Sequence, residues 1–200
     1  MKAKSDLCGL VLAGGRSSRM GRDKAALLHP DGTTLARRTY DLLFETGCET
    51  VVLSLRHDQE IPEGFSDIGN LTIVRDPAGE SVGPIAGMVS GMRLRPDADW
   101  LVLACDLPRL DLPTLSALVS SKRDGEKFLS YRSEFDGLPE PLCALYASES
   151  FPVLEKAQAD DFRCPRKILI RNDCRLLEPV TGRALDNANT PEDWATAITP

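Results

Sequence analysis

The chain has 200 residues, 42% hydrophobic and 6% aromatic, which is enough for one domain with an aliphatic core that needs no disulfide or structural metal. The formal net charge of −6 at pH 7 argues against general binding to nucleic acid or to an anionic membrane, because both attract basic proteins. The hydrophilic start and the lack of a long apolar stretch predict a cytoplasmic protein with no signal peptide or membrane span.

The first half of the chain alternates between strand and helix patterns. The apolar run Cys8–Leu12 predicts a buried strand, and Thr34–Glu45 predicts a helix because apolar residues recur at helical spacing behind a capping threonine. Short apolar and β-branched runs predict further strands at 51–55, 71–74 and 100–105. This alternation is typical of an α/β fold, here a Rossmann-like three-layer α/β/α sandwich with a mostly parallel sheet.

The second half of the chain continues with helices that begin at prolines and with short apolar strands. The predicted helices are 83–92, 112–121, 148–159 and a short one that begins at 190, and the predicted strands are 127–131 and 142–146. No internal repeat or linker divides the chain, so residues 1–200 are expected to form a single domain.

The most informative segment is Leu12–Lys24, which directly follows the first predicted strand and contains several glycines. Glycine lets a ligand approach the backbone closely, and Arg16, Arg19 and Lys24 supply positive charge for a polyphosphate. The segment has neither the Gly-Lys-Ser/Thr ending of a Walker A loop nor the G-x-G-x-x-G dinucleotide pattern. It therefore predicts a nucleoside triphosphate site of another class.

Four segments are expected to meet at one edge of the sheet, because ligands of open α/β sheets bind beyond the carboxyl ends of the strands. These segments begin at Ala13, near Ser54, at Asp76 and at Asp106. Asp106 directly follows an apolar strand, and a carboxylate there suits Mg²⁺, which prefers one or two carboxylates together with substrate phosphates. The alternative is that Asp106 only caps a helix.

The segment Leu12–Lys24 resembles the L-A-G-G-x-S-x-R-M-G-x-D-K signature of molybdenum cofactor guanylyltransferases, the MobA-like branch of the nucleotidyltransferase superfamily. The resemblance extends to Cys105–Pro108, which matches C-D-x-P, to Gly83–Gly87, and to Asn187–Asp193, and it weakens after Asp111. It implies a fold like that of nucleotide-diphospho-sugar transferases. It also implies a nucleotide-binding part at about 6–110 and an acceptor- and partner-binding part at about 111–200.

The activity implied by this resemblance is Mg²⁺-dependent transfer of GMP from GTP to Mo-molybdopterin, which yields molybdopterin guanine dinucleotide and pyrophosphate. It implies catalytic roles for Lys24, Asp106 and Arg19, with Asp106 as the metal ligand. Positions carried over as ligand-binding are Leu12, Ala13, Gly14, Gly15, Arg16, Lys24, Ser54, Asp76, Gly83, Pro84, Gly87, Asp106, Asn187 and Asn189. Ser54 departs from the pattern, since the family often has Asn there.

Two alternatives to guanylyl transfer stay open. Related cytidylyltransferases make the cytosine dinucleotide cofactor or activate sugar and alcohol phosphates, but they tend to carry Ala where this chain has Gly14. A nucleotide-binding protein without transfer activity is the other alternative, and damage to Lys24 or Asp106 would be expected there. Both residues are present, which favours an enzyme.

The sequence leaves two interpretations open for the residues that could bind the acceptor. Asn189 or Thr190 either lines the acceptor site or only caps the last helix. The basic residues of 163–171 either form a solvated face or bind the acceptor phosphate or an acidic patch on a client molybdoenzyme or cofactor-insertion protein.

Overall fold

A computed structural model describes residues 6–15, 23–76 and 83–198. The strands are β1 (Leu7–Leu12), β2 (Thr50–Leu55), β3 (Thr72–Arg75), β4 (Asp99–Ala104), β5 (Phe128–Arg132), β6 (Pro139–Tyr146) and β7 (Arg175–Leu177). The helices are α1 (Leu35–Glu45), α2 (Gly83–Met92), α3 (Leu112–Ser120), α4 (Phe151–Ala159), α5 (Pro165–Arg171) and α6 (Pro191–Ile198), with 3₁₀ turns at Lys24–Ala26 and Ser148–Ser150.

The described strands form one sheet in the order β3-β2-β1-β4-β6-β5-β7. β1 pairs in parallel with β2 and β4, β2 with β3, and β5 with β7, whereas β6 is antiparallel to both β4 and β5. Only β6 therefore runs against the others, which confirms the prediction of a mostly parallel sheet. The other six strands direct their carboxyl ends to one edge, where a ligand crevice is expected.

Helices cover both faces of the sheet because successive strand residues point to opposite sides. Val11 and Leu103 face the core formed with α1 and α3. Leu10 and Val102 face the core formed with α2, α4 and α5. α2 lies close to β1 because Gly91 has no side chain; a Cβ there would be 2.7 Å from Leu10 Cδ1. This arrangement confirms the three-layer α/β/α fold.

Two short elements escaped the sequence prediction, α5 and β7. α5 has seven residues and buries mainly Ile168 and Leu169 beside its initial proline, too few for a recognisable helical period. β7 has three half-buried residues, so it shows no alternation. The predicted helix 148–159 is a 3₁₀ turn followed by α4. In the described part of the chain, no helix has the length and apolar character needed to cross a membrane.

Asp99, at the start of β4, is a buried carboxylate whose contribution to stability can be tested. It is 6% exposed, pairs with Lys122, and accepts the Ser148 backbone N–H at 3.1 Å. Asp99→Ala leaves both donors without this partner and should lower the free energy of unfolding by about 2–3 kcal/mol in urea denaturation. Asp97→Ala is the control, because that side chain is 79% exposed; its effect should stay within about 0.5 kcal/mol.

Candidate active site

Lys24 contacts side chains that lie far from it in the sequence, Asp106 and Asn189. It lies in the 3₁₀ turn that follows β1, where Asp23 accepts the Ala25 N–H at 3.0 Å and caps the turn. Lys24 Nζ donates to Asp106 Oδ2 at 3.0 Å and to Asn189 Oδ1 at 2.6 Å. The side chains of Lys24 and Asp106 are 15% and 22% exposed, so this lysine–aspartate pair is partly screened from water at the edge of the sheet.

The segment before α6 is fixed against the loop after β4. The Ala188 N–H donates to the Asp106 carbonyl oxygen at 3.0 Å. Thr190 Oγ1 accepts the Asp193 N–H at 3.1 Å, and Asp193 Oδ2 accepts the N–H groups of Asn189 and Thr190. Thr190 is thus a helix cap, whereas the Asn189 side chain contacts Lys24. Asn187 is exposed beside them.

The backbone at the end of β1 is held by β2 and its following loop. The Ala13 N–H donates to the Ser54 carbonyl oxygen at 2.9 Å. Arg56 Nη1 donates to the carbonyl oxygens of Gly14 and Gly15 at 3.3 and 3.0 Å, and Arg56 Nη2 lies 3.7 Å from Asp23 Oδ2. Sequence reasoning missed Arg56, because the family pattern directed attention to Ser54, two residues earlier.

The Ser54 side chain is 2% exposed and faces α2 rather than open solvent. A Cβ placed on Gly87 would lie 2.5 Å from Ser54 Oγ, so the two residues pack directly against each other. Gly83, with φ +68°, begins α2 and is followed by Pro84. Leu12 accepts the Cys105 N–H at 3.4 Å. Leu12 pairs with Ser54 in the sheet, and a Gly87 Cβ would lie 3.1 Å from Leu12 Cδ2, so these three predicted ligand-binding positions are contiguous.

Asp76 presents an unsatisfied carboxylate near Gly14. Its N–H donates to the Leu55 carbonyl oxygen at 2.9 Å, which fixes Asp76 at the end of β3. Asp76 Oδ1 is buried and has no hydrogen-bond partner among the described residues, and Oδ2 lies 3.4 Å from where a Gly14 Cβ would be. Burial raises the pKa of Asp76, and the charge of Arg56 opposes this rise. A buried acceptor of this kind is stabilised by a ligand that donates hydrogen bonds.

Arg163, Arg166 and Arg171 have acidic or aromatic neighbours, and Lys167 is exposed. Arg163 lies 2.8 Å from Asp161. Arg166 lies 2.8 Å from Asp136 and 3.4 Å from Glu140, so Arg166 connects α5 to β6 and to the turn before it. Its positive charge is largely balanced inside the protein. Arg16 and Arg19, the other predicted cationic contacts, lie outside the described residues, as do residues 77–82 of the segment that begins at Asp76.

Within the described ranges, no group of three or more His, Cys, Asp or Glu side chains could hold a metal ion. Asp106 is a single carboxylate at a strand end. A lone carboxylate fits Mg²⁺ when substrate phosphates complete its coordination, because Mg²⁺ is commonly bound by one or two carboxylates plus phosphates.

The fold is shared with solved nucleotidyltransferases. A crystal structure of molybdopterin-guanine dinucleotide biosynthesis protein A from Archaeoglobus fulgidus matches with a TM-score of 0.71 and 26% identity, over 95% of this chain and 96% of that one. A nucleotidyl transferase from Methanothermobacter shares the fold with a TM-score of 0.75 and 21% identity, over 95% and 94%. The MobA-like NTP transferase domain model matches residues 9–175. The chain is therefore a nucleotidyltransferase, and it belongs to the MobA-like NTP transferase family.

Curated relatives agree with this membership. A molybdenum cofactor biosynthesis bifunctional protein from Synechocystis is 37% identical over 192 residues, 96% of this chain and 54% of that protein; the chain thus spans about half the length of this relative. A molybdenum cofactor guanylyltransferase from Pseudomonas putida is 30% identical over 184 residues, 92% of this chain and 93% of that protein. The family resemblance found in the sequence is therefore confirmed.

Proposed function

We propose that this protein is a molybdenum cofactor guanylyltransferase, which transfers GMP from GTP to Mo-molybdopterin. The observation that carries the proposal is the meeting of Lys24, Asp106 and Asn189 at the carboxyl edge of the sheet. It brings a phosphate-binding lysine and a candidate metal ligand beside the segment expected to line the acceptor site. Relatives that bear the name guanylyltransferase support the same reaction.

The reaction depends more on cations that offset the negative charge of its phosphates than on a general base. The terminal phosphate of the acceptor is a monoester with a second pKa of about 6, so its attacking oxygen is largely ionised at neutral pH. That oxygen forms a bond to the α-phosphorus of GTP, the bond from this phosphorus to the bridging oxygen breaks, and pyrophosphate leaves with the electron pair. The main barrier is the approach of two polyanions, which cations must offset.

The cationic residues act on the triphosphate in this proposal. The ammonium of Lys24 donates hydrogen bonds to phosphate oxygens, with Arg16 and Arg19 from the same sequence segment adding charge. Asp106 would hold Mg²⁺, which when bound neutralises phosphate charge. Asn189 holds the lysine ammonium in place from the acceptor side.

The choice of guanine rests on Asp76 and Gly14. Guanine carries two adjacent donors, its ring N1–H and its N2 amino group, and a carboxylate accepts both at once. Cytosine presents its amino group beside a ring acceptor, which a carboxylate repels. The unpartnered Asp76 Oδ1 suits the guanine pattern, and the missing Cβ of Gly14 leaves room beside Asp76 Oδ2.

The acceptor is proposed to bind on the β5 and β7 side of the same edge. Both strands run parallel to β4, so the segments that follow them leave at the crevice. Arg132 contacts Glu178 at 2.8 Å, and Glu134 accepts the Arg183 N–H at 3.2 Å, which joins these segments into one wall. Transient contact with molybdoenzymes or cofactor-insertion proteins and a cytoplasmic location belong to the same proposal.

Nucleotide selectivity is the first test. Thermal stability is measured with Mg²⁺ and GTP, CTP, ATP or UTP, because a ligand that binds the folded state raises stability by RT ln(1 + [L]/Kd). At a concentration of 100 times Kd, we expect GTP to add about 2.7 kcal/mol, and the other nucleotides to add less. A shift confined to CTP would identify a cytidylyltransferase instead, and equal shifts for all four would contradict the guanine assignment. Pyrophosphate release from GTP with molybdopterin then tests the transfer.

A further inference from the structure

Gln59 contacts two residues that flank residues 14–22 in the sequence, Ala13 and Asp23. It follows β2 and is 6% exposed. Its Nε2 donates to the Ala13 carbonyl oxygen at 3.0 Å and to Asp23 Oδ2 at 2.7 Å. Ala13 directly follows β1, and Asp23 directly precedes Lys24. Gln59 Nε2 therefore contacts both Ala13 and Asp23. The sequence between these two residues contains three glycines and three arginines.

The Gln59 amide is held in one orientation. Its Oε1 accepts the Arg56 backbone N–H at 3.1 Å, and its main-chain carbonyl accepts Arg75 Nη1 at 2.7 Å. The reverse orientation would set the amide oxygen against two acceptors, the Ala13 carbonyl and the Asp23 carboxylate. Gln59 is thus fixed by residues at the ends of β2 and β3, and its amide nitrogen in turn holds Ala13 and Asp23.

Asp23 transmits the constraint to Lys24. One carboxylate oxygen of Asp23 caps the turn that carries Lys24, through the Ala25 N–H. The other oxygen is shared by Gln59 Nε2 at 2.7 Å and Arg56 Nη2 at 3.7 Å. These contacts connect Gln59 to the turn that carries Lys24.

We propose that Gln59 is a positioning residue that sets the distance between the backbone at the end of β1 and the Lys24 ammonium before the triphosphate binds. This inference rests on the proposed function, since it assigns Gln59 to the GTP site. Without Gln59, binding of the triphosphate must itself bring Ala13 and Asp23 into position, and this cost lowers affinity. Once GTP is bound, its contacts restore the geometry, so turnover at saturation changes little.

The test uses Gln59→Leu, which nearly keeps the side-chain size. It removes the amide nitrogen that donates to Ala13 and Asp23, and the amide oxygen that accepts the Arg56 N–H. We expect the Kd of GTP with Mg²⁺, measured by calorimetry, and the KM for GTP to rise about tenfold, with kcat within about twofold of wild type. Tyr146→Phe is the control, because it also removes one buried bond, from Tyr146 Oη to the Pro141 carbonyl at 2.9 Å. Each protein is measured well below its thermal midpoint, where only folded molecules contribute.

Gln59→Glu is the second variant should the leucine protein fail to fold. It keeps the shape and the acceptor for Arg56 but places a second carboxylate beside Asp23, so the rise in Kd should be at least as large. An unchanged Kd in a folded variant, a fall in kcat at unchanged KM, or an equal rise in Tyr146→Phe would overturn the role of Gln59. A wild-type protein that does not bind GTP would instead overturn the proposed function, and this inference with it.

Discussion

Asp106→Asn is expected to lower kcat for guanylyl transfer by about 10²–10³-fold, because loss of one electrostatic group that acts on a developing charge has effects of this size. Asparagine keeps the shape and one oxygen for Lys24 but removes the charge that Mg²⁺ requires. Steady-state kinetics of pyrophosphate release against Mg²⁺ concentration measure both effects. We therefore also expect a higher Mg²⁺ requirement.

The matched control for this substitution is Asp124→Asn. Asp124 is exposed in the loop between α3 and β5, which lies at the amino end of β5 and thus away from the crevice. Its activity should equal that of wild type. If Asp106→Asn instead transfers GMP with unchanged Mg²⁺ dependence, Asp106 does not hold the metal.

Asp76→Asn is expected to raise the Kd of GTP by about 100-fold, since a site that accepts two hydrogen bonds from a base then presents a donor amide against one of them. ATP and CTP, which lack the paired donors of guanine, should lose much less affinity. Calorimetric titration of each nucleotide into wild type, Asp76→Asn and Asp124→Asn separates a loss of guanine recognition from a general loss of affinity. Equal losses for all three nucleotides would refute the base contact.

The same carboxylate predicts a pH dependence of GTP binding. Burial raises the pKa of Asp76 above its ordinary value, with Arg56 opposing the rise. Guanine donors need the ionised form, so affinity should be constant above this raised pKa and fall by up to tenfold for each pH unit below it. The Asp76→Asn variant should lose this fall, and an identical pH profile in both proteins would show that another group is responsible.

The sequence predicted that Lys24 and Asp106 lie at one edge of the sheet because the signals for this are local. Asp106 follows an apolar strand and Lys24 closes a glycine-rich segment, so a parallel sheet brings both to one edge. The Lys24–Asn189 contact spans 165 residues and depends on where α6 begins, so residue type alone could not separate a cap from a lysine partner. Gln59 gave no signal in the sequence, because its contacts with Ala13 and Asp23 exist only once the chain is folded.

The position of Lys24 also has a consequence for the order in which this molecule folds. Asp106 and Asn189, which contact it, lie 82 and 165 residues away along the chain, and contacts over such separations form slowly compared with local ones. The lysine therefore gains both partners only after β4 and the segment before α6 have docked. A partly folded chain lacks this arrangement. We therefore expect that it neither transfers a nucleotide nor hydrolyses one before folding is complete.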